Sequence, residues 1–400
     1  MNTASLDRLV GSAVRRLARA DLTGFVLAVH RELRVPTSAL GKRLHPYYKA
    51  VRNLLGRLAY RGSLSHPSNR ALYLFYDLEV APITFDFAWT LAAAEVRRRD
   101  LHLDSLRVVI VPGPISGGRQ EPLDYDKIFD ADARSWRLWN IVIEICRLLP
   151  TRCSVMICKS RAEAEELFFA DACHVEPLGY TPNSPIVNDA VRDYLKRDHR
   201  NLTIFSASVE AQRYAWKWMS RHCPGRKLVV VTLRQSQYMQ DRNSNLSAWK
   251  SFVAGLDEKI YHVALIPDTD AASEWTEQWP NTTLALEACF NLQIRQAFYQ
   301  CGYVSMGVNS GPLILQLFNR DTAFAMFVKV RESVPQASLE YLLSRGFEFG
   351  GTPTFCGPRQ RWVWDEDTLE NLQQSFFALV NVVERGAQAG SDDAFSEGDV

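Results

Sequence analysis

The apolar run Tyr303-Val304-Ser305-Met306-Gly307-Val308 is broken by Asn309-Ser310-Gly311-Pro312, and a second apolar segment, residues 313–318, starts at once. The first run reads as a buried strand and the second as a helix. Pro312 suits a first helical position, and Ser310 or Asn309 is placed to cap the exposed N–H groups. Gly311 lets an anion approach the backbone at a helix start, where free N–H groups favour negative charge. Residues 322–328 then read as another buried strand. A strand, an anion-competent turn, a helix and a strand in series build doubly wound sheets, whose ligands sit at the carboxyl ends of the strands. The same pattern also describes a capped helix that merely joins two core strands.

A chain of 400 residues fits two or three domains. Hydrophobic content of 47% with 23% charged residues describes a globular protein with a sizeable core. No run of 18 apolar residues suggests a transmembrane helix, and Arg8, Arg15, Arg16 and Arg19 interrupt any signal-peptide core. Eight cysteines lie scattered without CxxC spacing, mostly in apolar runs, which suits buried thiols in a reducing cytoplasm. The eight histidines form no ligand spacing either, so no metal site and no bound cofactor is expected.

The net charge of +1 conceals an asymmetry. Residues 1–63 carry twelve Lys/Arg against three Asp/Glu, a net of +9, which leaves −8 on the rest. This extension (residues 1–65) reads as helices over 5–20, 22–33 and 47–60, broken at Pro36 and Pro46. Leu9, Val10, Val14, Leu17 and Leu22 recur at helical spacing among arginines. Such a segment suits an anionic membrane surface, as a peripheral protein on the inner face of the membrane. Packing on the following domain with solvated arginines is the alternative. The acidic remainder and the lack of a nucleic-acid motif argue against nucleic acid.

Strands are expected at 71–76, 106–111, 154–158 and 201–206, with helices over 84–99, 133–149 and 209–222. This alternation describes a parallel sheet covered on both faces. A second unit starts near Gly225 with the strand 227–233, the polar loop 234–243 and a helix capped by Ser244 or Asn245. The strand 261–266 ends at Pro267-Asp268-Thr269-Asp270, and a helix over 288–301 leads into the 303–318 unit. The fold class is therefore α/β with two Rossmann-like domains, 66–222 and 223–364. A helical N-terminal extension precedes them, a long helix (365–385) follows, and the tail 386–400 is expected to be disordered.

Arg234 stands just beyond a strand's carboxyl end and Arg242 shares its loop. Two forked guanidinium groups suit a diphosphate, although surface salt bridging is what most loop arginines do. Asp268 and Asp270 could meet a base or ribose, or cap the next helix. Arg295, a turn beyond Asn291, is a further donor-facing candidate.

Two α/β units, a strand-end arginine loop, a Ser-Gly-Pro turn and a long terminal helix together resemble the GT-B glycosyltransferases. The heptosyltransferase-like group has a similar small-residue-Gly-Pro turn, and the fucosyltransferase-like members an arginine on the first loop of the second domain. The motif content is confined to residues 233–243 and 307–312. The chain departs from the family in lacking the His-containing arginine motif and the aspartate that often precedes the Gly-Pro turn; Asn309 and Ser310 stand there instead. The resemblance implies a nucleotide-sugar donor held by the second domain through Arg234, Arg242, Asn309, Ser310, Gly311, Asp268 and Arg295. It implies a glycan or lipid-linked acceptor on the first domain, metal-independent transfer in the cleft between them, and a role in polysaccharide biosynthesis. A base must then deprotonate the acceptor hydroxyl. Asp86, which opens a helix beyond a strand end, is the first candidate and Glu79 the second; Asp77 is also near. Asp86 would equally serve as a carboxylate complementing the helix dipole. A catalytically silent scaffold of the same plan and a nucleotide-sugar epimerase are the other readings.

Overall fold

The computed structural model describes residues 22–34, 36–59, 70–115, 117–186, 189–191, 194, 201–272 and 274–396. The helix expected over 5–20 lies outside the described residues. The chain forms two compact α/β units. One gathers the described residues within Met1–Pro82, Arg98–Gln120 and Ser154–Asn188; the other gathers Ile83–Arg97, Glu121–Cys153 and the described residues from Asp189 onward.

The first sheet has the order β3-β2-β1-β4, with β1 at Ala71–Asp77, β2 at Ser105–Val111, β3 at Cys153–Ile157 and β4 at His174–Glu176. β1 runs parallel to both β2 and β4 and is buried along its whole length. A strand buried on both faces must be apolar throughout, which is how Ala71-Leu72-Tyr73-Leu74-Phe75-Tyr76 reads. The helices Leu22–Arg34 and Ala39–Ala59 belong to this unit. Pro46, expected to break the segment, lies inside the second of them.

The second sheet contains β5 (Lys227–Thr232), β6 (Tyr261–Ile266), β7 (Thr282–Leu284), β8 (Val304–Val308), β9 (Phe324–Phe327) and β10 (Gln360–Val363). Their spatial order is β10-β9-β8-β5-β6-β7, and all five neighbouring pairs are parallel. Counted from β5 this is the order 3-2-1-4-5-6 of dinucleotide-binding sheets. Side chains alternate across β5. Val229, Val231 and Leu233 pack with Trp249, Phe252, Leu372 and Phe376. On the opposite face the Thr232 hydroxyl meets Tyr299 Oη at 3.0 Å.

Three revisions to the sequence-based boundaries follow from packing. Residues 201–208 form no strand: the Ile204 and Phe205 N–H groups donate to Phe318 O, and Ala207, Ala211 and Ala215 pack on Ala297. That apolar contact carries 201–222 into the second unit instead of the first. Residues 83–97 join it as well, because Trp89 enters an aromatic cluster with Tyr194, Phe318, Phe347 and Phe355. The last helix runs Leu369–Ser396, through much of the tail expected to be disordered.

β5 and β8 approach closely at Gly307, where a Cβ would stand 2.6 Å from Thr232 O and 2.9 Å from Leu313 Cδ1. Gly307→Ala is therefore expected to cost about 1–3 kcal/mol by overpacking, and a thermal melt should show the lower Tm. An unchanged Tm would mean that this strand pair has slack.

Candidate functional site

In the second sheet the chain leaves β5 toward β6 on one side and enters β8 from the other, so the sheet's topological switch point lies between β5 and β8. Open α/β sheets bind ligands outside the carboxyl ends of the strands at that point. Two segments meet there: the loop after β5, residues 233–245, and the turn after β8, Asn309-Ser310-Gly311-Pro312.

Arg234 is buried and organises its own loop. Its guanidinium donates to Met239 O at 3.0 Å, to Tyr238 O at 2.6 Å and to Asn243 Oδ1. Met239 adopts a left-handed conformation, φ 54°, a rare geometry for a side chain without a local polar partner, and the carbonyls on either side of that turn both meet the guanidinium. Asn243 is locked in return by the Ser236 N–H at 3.1 Å and by its own amide on Ser236 O at 3.0 Å. The Arg234 backbone exchanges bonds with Ser244 at 2.9 and 3.0 Å.

Arg242, at the other end of the loop, reaches the turn and donates to Asn309 O at 3.0 Å. The sequence-predicted residues Arg234, Arg242 and Asn309 are thus brought together. Burial and the neighbouring Arg242 push Arg234 down to about 10, and burial lowers Arg242 too, with Asp86 opposing. Both stay charged at neutral pH. Among the described residues neither forms an ion pair, and the groups they bond are neutral. Two cations near each other, desolvated and without a bonded carboxylate, leave a site that favours an anion.

Asp268 follows β6 and accepts the Gln235 N–H at 3.3 Å; its charge partly offsets the lowering of Arg234. Asp86 is exposed, accepts the Thr84 hydroxyl at 3.0 Å, and interacts electrostatically with Arg242. Ser310 and Gly311 differ from expectation. The Ser310 side chain makes no capping bond, and the segment that follows is a 3-10 turn, Gly311–Leu313, and one helical turn, Ile314–Leu317. The space that glycine opens is taken by Phe85, whose ring lies where a Gly311 Cβ would be, at 2.6 Å.

Arg295 does not face the site. It is 2% exposed and donates to Ala288 O at 2.7 Å and Tyr299 Oη at 3.3 Å. Its role is structural, because a helix that packs against the sheet carries its side chain inward. Glu79 lies in the first unit, where Arg34 and Arg161 bind its Oε2 at 2.5 and 3.2 Å. Asp77 beside it takes both Arg161 nitrogens, at 2.8 and 2.6 Å, and the Tyr180 hydroxyl at 2.9 Å. Both carboxylates are taken up by these partners and hold the fold, so Glu79 is withdrawn as a catalytic candidate.

Lys329 and Asp367 were not singled out from the sequence. Lys329, just after β9, is buried with its Nζ 2.7 Å from Asp367 Oδ1 and 2.8 Å from Asn243 O. Asp367 Oδ2 accepts the Asn245 N–H at 2.7 Å and Trp249 Nε1 at 2.9 Å. This pair pins the far end of the arginine loop. A lone lysine closing an apolar strand was the available signal. Among the described residues no group of three or more His, Cys, Asp or Glu is placed to hold a metal ion.

No family model and no curated protein matches the chain. Among solved structures, the glycosyl transferase family 9 protein from Veillonella parvula is similar over 81% of this chain and 99% of its own, at 10% identity and a TM-score of 0.40. E. coli heptosyltransferase WaaC with ADP-2-deoxy-2-fluoro heptose is similar over 80% and 99%, at 11% identity and 0.33. The same enzyme with ADP is similar over 64% and 86%, at 11% identity and 0.27. At these TM-scores the likeness carries no activity across, and function is argued from the chain's own residues.

Arg234→Lys keeps the charge but gathers its donors on one nitrogen, which cannot span acceptors now reached by two guanidinium nitrogens. It should cost about 1–3 kcal/mol through unsatisfied carbonyls and speed limited proteolysis within residues 235–243. A loop as resistant as in the native protein would show that these bonds do not hold it.

Proposed function

We propose that the chain is a glycosyltransferase that moves a sugar from a nucleoside-diphosphate donor to a hydroxyl of a glycan or lipid-linked glycan, at the cytoplasmic face of a membrane. The observation that carries the reading is the pair of buried arginines, bonded only to neutral groups, at the switch point of a sheet with dinucleotide-binding strand order. In the transfer the bond between the anomeric carbon and the diphosphate oxygen breaks, and negative charge accumulates on the leaving phosphate. Fixed cations already in place stabilise that charge without reorganising. Arg242 is the residue suited to the diphosphate, since its other bonds are few, and Arg234 adds charge while holding the loop. Asp268, at the end of the neighbouring strand β6, is the group suited to a ribose hydroxyl. Asp86 is the base that takes the acceptor proton, and Asn309 and Ser310 border the sugar. The reading needs no metal ion, because the arginines supply the positive charge.

Thermal-shift measurements against ADP, UDP, GDP and CDP test this. A ligand at 100 times its Kd stabilises by about 2.7 kcal/mol, so one nucleoside diphosphate should raise Tm clearly and Arg242→Gln should abolish the rise. Asp86→Asn should keep or tighten that binding, because it removes a negative charge near the phosphates, and should eliminate transfer. A flat panel from folded protein would sink the donor site and favour a silent scaffold. Turnover of free nucleotide sugar without acceptor would indicate an epimerase.

A further inference from the structure

The helix Ala39–Ala59 has two faces with different fates. One docks on its own unit: Lys49 donates to Gly179 O at 2.6 Å, Arg52 to Asn183 Oδ1 at 2.8 Å, and His45 Nε2 lies 2.9 Å from Ser184 Oγ. Gly56 sits so close to Phe169 that a Cβ would meet the ring at 2.2 Å. The opposite face carries Leu40, Leu44, Tyr47, Val51, Leu54 and Leu58, spaced alternately by four and three residues and 44–73% exposed. At 100° per residue these six fall in one stripe about 27 Å long. Leu55 widens it, and Leu22 and Val26 of the preceding helix are exposed as well.

We propose that this stripe is the surface by which the protein lies on an anionic lipid bilayer. The choice of occupant rests on charge. The helix has no acidic residue, and of its cations Lys49 and Arg52 are held on the docked face, Arg52 also by Glu165 at 3.3 Å. Lys42 and Arg43 are exposed, with Arg43 at the edge of the stripe one turn before Tyr47. The alternating spacing would also suit a seam with a second copy, but paired helices of this kind rely on opposite charges beside the seam. Two copies here would set cations against cations. Residues 1–21, with Arg8, Arg15, Arg16 and Arg19 against Asp7 and Asp21, carry the same sign. An apolar stripe edged by cations matches the boundary between acyl chains and anionic headgroups. This deepens the acceptor side of the proposed function, since a lipid-linked acceptor is reached from such a surface.

Co-sedimentation of the full chain with vesicles of phosphatidylcholine, with and without 30% (a chosen composition, about one lipid in three) phosphatidylglycerol, tests the proposal. Binding should require the anionic lipid, weaken in high salt, and fall at least tenfold in Val51→Glu/Leu54→Glu. Both positions are exposed, so that variant keeps its fold and its nucleotide-dependent rise in Tm. Failure of folded protein to bind anionic vesicles overturns the proposal, as does equal binding by the double variant. A native dimer that the double variant converts to monomer, without vesicle binding, assigns the stripe to a second copy and overturns it too. The vesicle and nucleotide readouts are separate: loss of lipid binding with a normal nucleotide response rejects only the docking surface.

Discussion

The parallel pairing of β5 with β8 is the constraint on which the second unit depends. Thr232 pairs with Gly307, and the absence of a side chain at Gly307 lets the two strands and the following Leu313 close up. Because the connections on the two sides of this pair run in opposite directions, the loops beyond it separate and leave room at the strand ends. Arg234 closes the loop on the β5 side by bonding its carbonyls, and Arg242 crosses to Asn309 on the β8 side. Lys329 and Asp367 hold the loop's far end from β9 and the segment before the last helix. One backbone register therefore places both guanidinium groups.

The two units use buried charge in opposite ways. At the end of β1, Arg161 is paired with Asp77 and Glu79, which raises its pKa against burial, and Asp77 is also bonded by Tyr180. Burial and that carboxylate push the Tyr180 hydroxyl up, so it donates and does not ionise. Every cation there meets an anion, which is the condition under which buried ions are tolerated structurally. At the end of β5 no carboxylate is bonded to Arg234 or Arg242, and Asp268 and Asp86 offset their burial only through space. Buried cations held by neutral groups alone make a candidate site for an anion. Composition cannot separate these cases, since both clusters read in the sequence as charged residues after an apolar strand.

Much of the second unit was legible because most of its strands are short, largely apolar and bounded by turns. Residues 227–233 and 261–266 read as strands and are β5 and β6, and the helix expected over 209–222 matches Val209–His222. β7 and β10 were missed: Thr282–Leu284 has three half-buried residues, and Gln360–Val363 alternates with an exposed arginine. Residues 201–206 misled in the other direction, since an apolar run adopts no strand when helix packing takes its backbone. The strand-end placement of Arg234 and Arg242 was legible from position alone; their bonds to the loop carbonyls and to Asn309 were not. Arg295 was misread because helical spacing does not say which way a side chain turns, and Glu79 because the arginine that reaches it from Leu22–Arg34 is distant in sequence. Lys329 and Asp367 depend on contacts between segments 38 residues apart, which no local pattern encodes.

The Ser-Gly-Pro turn has a different task from the one its sequence suggests. The macrodipole is a sum of aligned peptide dipoles, and here a 3-10 turn and one α-helical turn follow Gly311, so that sum is small. The charge that would attract a diphosphate must come from the arginines instead. What Gly311 provides is space, and Phe85 takes it. Phe85 adjoins Asp86, so the absence of a side chain at Gly311 sets how near the Thr84-Phe85-Asp86 segment comes to the turn after β8. Arg242 is bonded to that turn at Asn309, and its charge is favoured by Asp86. The glycine thus acts through packing, and the proposed anion site and proposed base belong to one local arrangement.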